Sequence, residues 1–403
     1  MNPSLPVRYM PFEKRILPLA VLIELFLGFE CGGFQLVLID IAGDYELNNA
    51  SMGALVTVQF IASTFVPLLF GHFSDRRGKK KVIQFFLPFL ILGCAIIVFT
   101  DTVVPFCVGI FCIGVGYGIS ESLISAALSD NDPDKAEKTI NMAQSFFSIG
   151  AVSGPFIVLA FMNKGADWSV AFLITGICFL VLYPLLCVTR FHKKPIVNAG
   201  ENPGQGQSGF LLLKNKVFII FVSSIFVYGG LEVGFSYFTG AVFEEKLQAP
   251  ALSAFGISFF WLAMAASRLA VALAKANTKK LVIILYGPIV AVLILLAVSG
   301  SAGFAVLLYA IAGALLGPIW PTLMGMATRR FTDHSGTVSG MMMAGSNSAG
   351  MIMPIVIGFM FDKWNIPWTL CGLSLLAVIG IVLFVWIHKT EKARNFSVDK
   401  IWK

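Results

Sequence analysis

Five ionisable residues stand inside long apolar runs of this chain: Glu24, Glu30, Glu121, Glu232 and Arg268. A charge at the centre of a membrane helix costs about 2.5–3.5 kcal/mol on insertion scales, so such residues are rarely there for packing. Glu121 extends a stripe of Gly114, Gly118 and Ser125, and Glu232 extends one of Ser224, Tyr228, Ser236 and Thr239, at the spacing of a helix face. Asn141, Gln144 and Ser148 make a third polar face. Faces of this kind can line a water-filled cavity. A carboxyl withdrawn from water disfavours its charged form, which suits it to taking up and releasing a proton. Plainer readings stand beside this one: Glu24 and Arg268 can snorkel to a nearby helix end, and Asn141, Gln144 and Asn347 can join helices.

The elements that must position these residues follow from composition. Hydrophobic residues make up 57% of the 403, charged residues 13%, and the mean hydropathy is +0.84. Such a chain cannot coat a soluble surface; its surroundings are a lipid bilayer. A bilayer core of about 30 Å needs roughly 20 apolar residues per helix. Twelve stretches qualify, near 17–39, 51–72, 82–100, 104–128, 139–162, 167–190, 217–242, 251–274, 281–299, 303–327, 336–360 and 367–388. The runs are apolar all round, which excludes the period-two strands of a membrane barrel.

Lys and Arg collect before the first stretch, at the even-numbered turnings and in the C-terminal tail, whereas the opposite turnings hold Lys164, Lys246 and Lys363. Basic loops stay in the cytoplasm, so both termini are expected there, in a multi-pass protein of a bacterial cytoplasmic (inner) membrane. The net charge of +7 is then a topology signal and not a nucleic-acid footprint. No cleavable leader is visible. Seven cysteines lie within the stretches, odd in number and without zinc spacing; neither a disulfide framework nor a metal is expected. No histidine lies at membrane depth, so a proton relay must use carboxylates.

Between residues 191 and 216 the sequence turns to Gly, Pro, Asn, Gln and Ser, the character of a linker. It separates two segments, 1–190 and 217–403, of six helices each. The second charged turning, around 274–283, faintly repeats the first without its acid and suggests an internal duplication.

That first turning, Gly71-His72-Phe73-Ser74-Asp75-Arg76-Arg77-Gly78-Lys79-Lys80-Lys81, is read as a very short loop between helices two and three. It resembles the signature loop of the major facilitator superfamily of secondary transporters. The resemblance implies an all-α membrane protein with two pseudo-symmetric six-helix bundles and a midplane site between them. It further implies a conformational latch at Gly71, Asp75, Arg76 and Gly78. There Asp75 would face the N-terminal end of helix eleven, near Ser335-Gly336, at about 1–2 kcal/mol for a partly buried charge.

A closer resemblance, to the fucose, galactose and glucose proton symporter branch, rests on several segments. They are Gly116-Tyr117-Gly118-Ile119-Ser120-Glu121-Ser122, Asn141-Met142-Ala143-Gln144-Ser145-Phe146-Phe147, Tyr228-Gly229-Gly230-Leu231-Glu232, Ser267-Arg268-Leu269 and Gly317-Pro318-Ile319-Trp320-Pro321-Thr322. The branch implies proton coupling at Glu121 and hydroxyl binding by Asn141 and Gln144. The buried acids Glu232 and Glu30 are further candidates for proton coupling, and Gln35, Tyr228, Trp261, Arg268, Trp320 and Asn347 are further candidates for substrate binding. Where the branch carries an acid in helix one, alignment places Gln35, and Glu24 or Glu30 is the available substitute. Tyr228, Phe235, Tyr237, Trp261 and Trp320 can stack on a sugar or wall a drug pocket.

The expected activity is proton-driven symport of a sugar or related polar solute by a monomer that needs no cofactor. Two alternatives stand beside it. Gly150-Ala151-Val152-Ser153-Gly154-Pro155 resembles part of a proton-coupled antiporter motif, which would mean export of a drug or metabolite. Asp130-Asn131-Asp132-Pro133-Asp134 has the carboxylates, though not the spacing, of a prenyl-transferase magnesium site. No zinc-protease, serine-hydrolase or phosphate-loop motif occurs.

Overall fold

The computed structural model describes residues 15–47, 49–191, 209–236, 238–274 and 278–401, with side chains undescribed at 49–54, 209–210, 278–283, 362, 388 and 391–401. Most of the expected linker, 192–208, lies outside the described residues, as do Tyr237, Lys275, Arg8, Lys14 and Lys403.

Without water to bind its peptide groups, a chain in lipid must satisfy them internally, and the helix does so within each segment. The helices are α1 (Ile16–Asp44), α2 (Asn49–Arg77), α3 (Lys79–Val98), α4 (Val103–Asn131), α5 (Ala136–Met162), α6 (Val170–Val188), α7 (Lys216–Ser236), α8 (Ser253–Leu273), α9 (Thr278–Val298), α10 (Ala302–Leu316 continuing as Ile319–Arg330), α11 (Ser335–Trp364) and α12 (Ile366–Ile401). Among the described residues eleven are long and apolar enough to cross a membrane, and a shorter apolar stretch, Ile284–Val298, belongs to the twelfth. The twelve expected spans are therefore the twelve long helices.

Several helices outrun their apolar runs. The turning at 71–81 is less of a loop than its charge suggested. α2 stays helical to Arg77, α3 starts at Lys79, and Gly78 alone reverses the chain. Its φ of 90° is a conformation that favours glycine.

α1, α4, α5 and α6 pack with α2 and α3 in one bundle, and α7 to α12 pack in the other. The bundles meet along α2 with α11, α5 with α8, and α4 and α5 with the second piece of α10. Small residues let helices touch at the backbone, as membrane interfaces require. Gly28 of α1 stands against the Phe147 carbonyl of α5, and Gly150 of α5 against that of Leu25. The stretch that resembled an antiporter motif is this α1–α5 seam: Gly154 likewise meets the Phe29 carbonyl.

α10 is interrupted at Gly317 and Pro318. Pro321 has no N–H to return to the carbonyl four residues earlier, which leaves the Gly317 oxygen open in mid-membrane. Arg268 of α8 fills it, with its Nε 2.8 Å away.

Candidate functional site

A cavity of about 1200 Å³, counting its open end, lies between the bundles. α1 supplies Glu30, Cys31, Phe34 and Gln35; α2 supplies Gln59, Phe60 and Ser63; α4 supplies Tyr117 and Glu121; α5 supplies Gln144 and Phe147. From the other bundle come Tyr228, Glu232 and Ser236 of α7, Trp261 and Arg268 of α8, Trp320 of α10, and Met343 and Asn347 of α11. All expected candidates for proton coupling thus line one space, as do all for substrate binding except Asn141. Most of the lining is apolar, with few convergent polar groups, as in small-molecule sites.

Arg268 organises the floor. Only 3% exposed, it donates through Nη1 to the Gln144 carbonyl at 3.1 Å and to Ser148 Oγ at 2.7 Å, both on α5, and through Nη2 to the Tyr228 hydroxyl at 3.4 Å. One guanidinium therefore ties α7, α8 and α10 of one bundle to α5 of the other. Among the described residues no carboxylate forms an ion pair with it, although Glu24, Glu121 and Glu232 lie within electrostatic reach. Glu232 sits beside Tyr228 and Arg268, and Glu121 beside Gln144.

Glu30 occupies a separate niche. It is 2% exposed, its Oε1 accepts from Gln59 Nε2 at 3.0 Å, and its Oε2 has no partner. Nearby, Asn347 Nδ2 of α11 donates to Ser63 Oγ of α2 at 3.1 Å across the bundles. Gln59 and Ser63 were not among the expected site residues. Their signal was an i, i+4 polar pair in α2, opposite the Gly114 and Gly118 stripe that packs on them. Gln35 is exposed within the cavity, which therefore opens toward the α1–α2 turning.

Two expected residues lie elsewhere. Asn141 is fully buried beneath the cavity, donating to the Glu137 carbonyl at 2.7 Å and to Thr322 Oγ1 of α10 at 3.2 Å. It joins the bundles by the interhelical bonding weighed above. Phe235 is stacked on Phe260 at 5.8 Å and meets Tyr309 edge-on, inside its own bundle.

The face carrying the basic turnings is closed. Asp75 accepts from the backbone N–H groups of Gly336 at 2.7 Å and Thr337 at 2.8 Å, and from Thr337 Oγ1 at 2.7 Å. These are the open donors of the first turn of α11, where helix-end partial charge also favours an acid. Gly71 lies against the Gly336 carbonyl and Gly336 against Ser74, so neither has room for a side chain. Arg76 is exposed; the base that enters the contact is Lys79, 3.5 Å from Asp75 and 2.6 Å from Asp130. Asp130 also accepts from Ser335 Oγ at 2.7 Å. The acidic stretch once compared with a magnesium site is thus part of this closure, and among the described residues no cluster suits a metal. Ser122 and Ser339, 3.1 Å apart, and Glu137 with Arg329, 3.7 Å apart, add further cross-bundle contacts.

Comparison with known proteins places this geometry. The family profile described as Major Facilitator Superfamily matches residues 20–350 and, in a second match, 274–402. The glucose/mannose transporter GlcP of Bacillus subtilis is 21% identical over 346 residues, 83% of this chain and 84% of that one. The hexuronate transporter of the same organism is 23% identical over 382 residues, 86% and 88% of the two chains. Among solved structures, FucP in its outward conformation, the fucose:proton symporter of E. coli, superposes with a TM-score of 0.80 at 16% identity, over 93% of this chain and 99% of its own.

Proposed function

The chain belongs to the Major Facilitator Superfamily, and from that membership and the chemistry of its cavity we propose that this transporter is a proton-coupled symporter of a sugar or related polyhydroxylated solute. Glu121 and Glu232 bind the coupling proton, with Glu30 as a further acid nearer the open end. The observation that carries the reading is the meeting of Glu121, Glu232, Gln144 and Arg268 around one cavity walled by Tyr228, Trp261 and Trp320.

The chemistry follows from the charge balance. Ionised together, the cavity acids would outnumber the single Arg268, and uncompensated charge in a dry cavity is costly. Protonation neutralises the floor and permits the loaded carrier to reorient. The solute's hydroxyls exchange hydrogen bonds with Gln35, Gln144 and Asn347, while its apolar ring face rests on an aromatic wall. Asn141 holds the floor from below without touching the solute.

The closed basic face is the cytoplasmic one in this reading, as charge distribution favours, and the cavity then faces outward across a bacterial inner membrane. The two halves, 1–190 and 217–403, rock about the site and are tethered through 191–216. The cavity lies between the two halves of one chain, and the reading takes the monomer as the working unit.

The decisive measurement is uptake of a panel of hexoses, including glucose, mannose and fucose, into proteoliposomes with lumenal pH recorded. Solute-dependent acidification of the lumen supports symport. Proton movement opposite to the solute identifies exchange, and transport without proton movement removes the coupling role.

A further inference from the structure

Glu24 is left unused by this scheme. It is 0% exposed, absent from the cavity lining, and neither carboxyl oxygen has a hydrogen-bond partner. The Gln144 amide lies close enough to act on its carboxyl, yet its Nε2 completes no full hydrogen bond there. The other buried polar side chain described in α1, Glu30, bonds to Gln59 and lines the cavity; Glu24 does neither. A snorkelling side chain would reach water, and Glu24 does not.

We infer that Glu24 is an internal proton-binding site, one step beyond Glu121 on the path to the basic face. The inference rests on the symport reading above. Glu24 lies six residues before Glu30, about 9 Å nearer the basic face at helical rise. The cavity acid within its electrostatic reach is Glu121 of α4, and the cation is Arg268 of α8. Gln144 of α5 touches the cavity on one side and Glu24 on the other. The seal has two kinds of wall. α1 and α5 are locked at the backbone through Gly28 and Gly150 and move together. Arg268 comes from the opposite bundle and holds α5 only through the Gln144 carbonyl and Ser148. Separation of the bundles at the basic face withdraws Arg268 and admits water beside Glu24, whereas the outward cavity never reaches it.

The transfer is balanced. The O–H bond of protonated Glu121 breaks as one forms on the Glu24 carboxylate, leaving Glu121 ionised. When the basic face opens, Glu24 yields the proton to water and regains its charge.

The test compares the unmodified carrier with Glu24→Gln and Glu24→Asp in the same proteoliposomes, using whichever hexose of the panel is transported. The expected result for Glu24→Gln, a permanent stand-in for the protonated acid, is loss of solute-dependent lumen acidification with measurable hexose counterflow still present. Glu24→Asp, which keeps a carboxyl, restores part of the acidification. Acidification by Glu24→Gln at the unmodified proton-to-solute ratio overturns the inference and leaves the symport reading intact. Loss of counterflow in both variants assigns Glu24 to packing and also overturns it. No acidification by the unmodified carrier sinks the symport reading, and this inference with it.

Discussion

Two sets of buried acids in this protein are treated in opposite ways. At the basic face the two acids of the latch are occupied: Asp75 takes three donors from the first turn of α11, and Asp130 takes Lys79 and Ser335. Around the cavity, Glu30 keeps one oxygen open and Glu24 both, and Arg268 spends its donors on carbonyls and hydroxyls. A satisfied charge holds a conformation, because releasing it forfeits charge-assisted bonds of about 1.5–3 kcal/mol each. An unsatisfied carboxyl is costly to keep, and in the proposed symport what relieves it is a proton or a solute hydroxyl. On that proposal the same residue type is a fastener in one region and a receptor in the other.

The contrast can be broken experimentally. The largest effect is expected from Glu121→Gln, which abolishes proton-driven accumulation in proteoliposomes while part of the counterflow persists; accumulation at the normal level would take Glu121 out of the coupling step. Next comes Arg268→Met. It leaves the Gly317 and Gln144 carbonyls without their charged donor, and at least two such bonds are lost, about 3 kcal/mol or more. A lower midpoint of thermal unfolding in detergent, together with lost transport, is the expected outcome.

Asp75→Asn sharpens the other side of the comparison. Loss of the charge at the start of α11 removes about 1–2 kcal/mol, so the population open at the basic face rises roughly 5- to 30-fold. Cys31 lines the cavity and is free, so its alkylation from the opposite face should slow accordingly. The ranking of transported solutes should not change, and a changed ranking would count against a purely conformational role. The smallest effect belongs to Ser122→Ala, which deletes one neutral bond to Ser339 worth about 0.5–1.5 kcal/mol. It should shift Cys31 reactivity in the same direction by a lesser amount.

Much of the latch was readable in the residues. Asp75 between Gly71 and Gly78, on the same face as Ser335-Gly336, marks an acid aimed at a helix start. The part played by Lys79 was hidden among three consecutive lysines, because sequence does not tell which of them turns inward to meet Asp130. The resemblance points to Arg76, which is exposed in the structure. The cavity was legible as faces: Glu121, Gln144, Tyr228 and Glu232 stand on polar stripes that must meet something other than lipid. Asn141 shares a stripe with Gln144 and still ends beneath the cavity, since one helical turn separates the floor from the seal. Gln59 and Ser63 escaped notice because an uncharged polar pair in a membrane helix reads equally well as a contact between helices.

By itself the sequence determined the bilayer, the twelve helices and the alternation of basic and neutral turnings, since apolar length and charge placement act locally along the chain. Only the tertiary structure decided which acids are satisfied. Whether Glu24 is sealed or exposed, and whether Arg268 meets a carboxylate or a carbonyl, depends on partners from other helices, such as Gly317 and Gln144 for Arg268. Burial and electrostatic reach are properties of packed helices in space, and no single helix contains them.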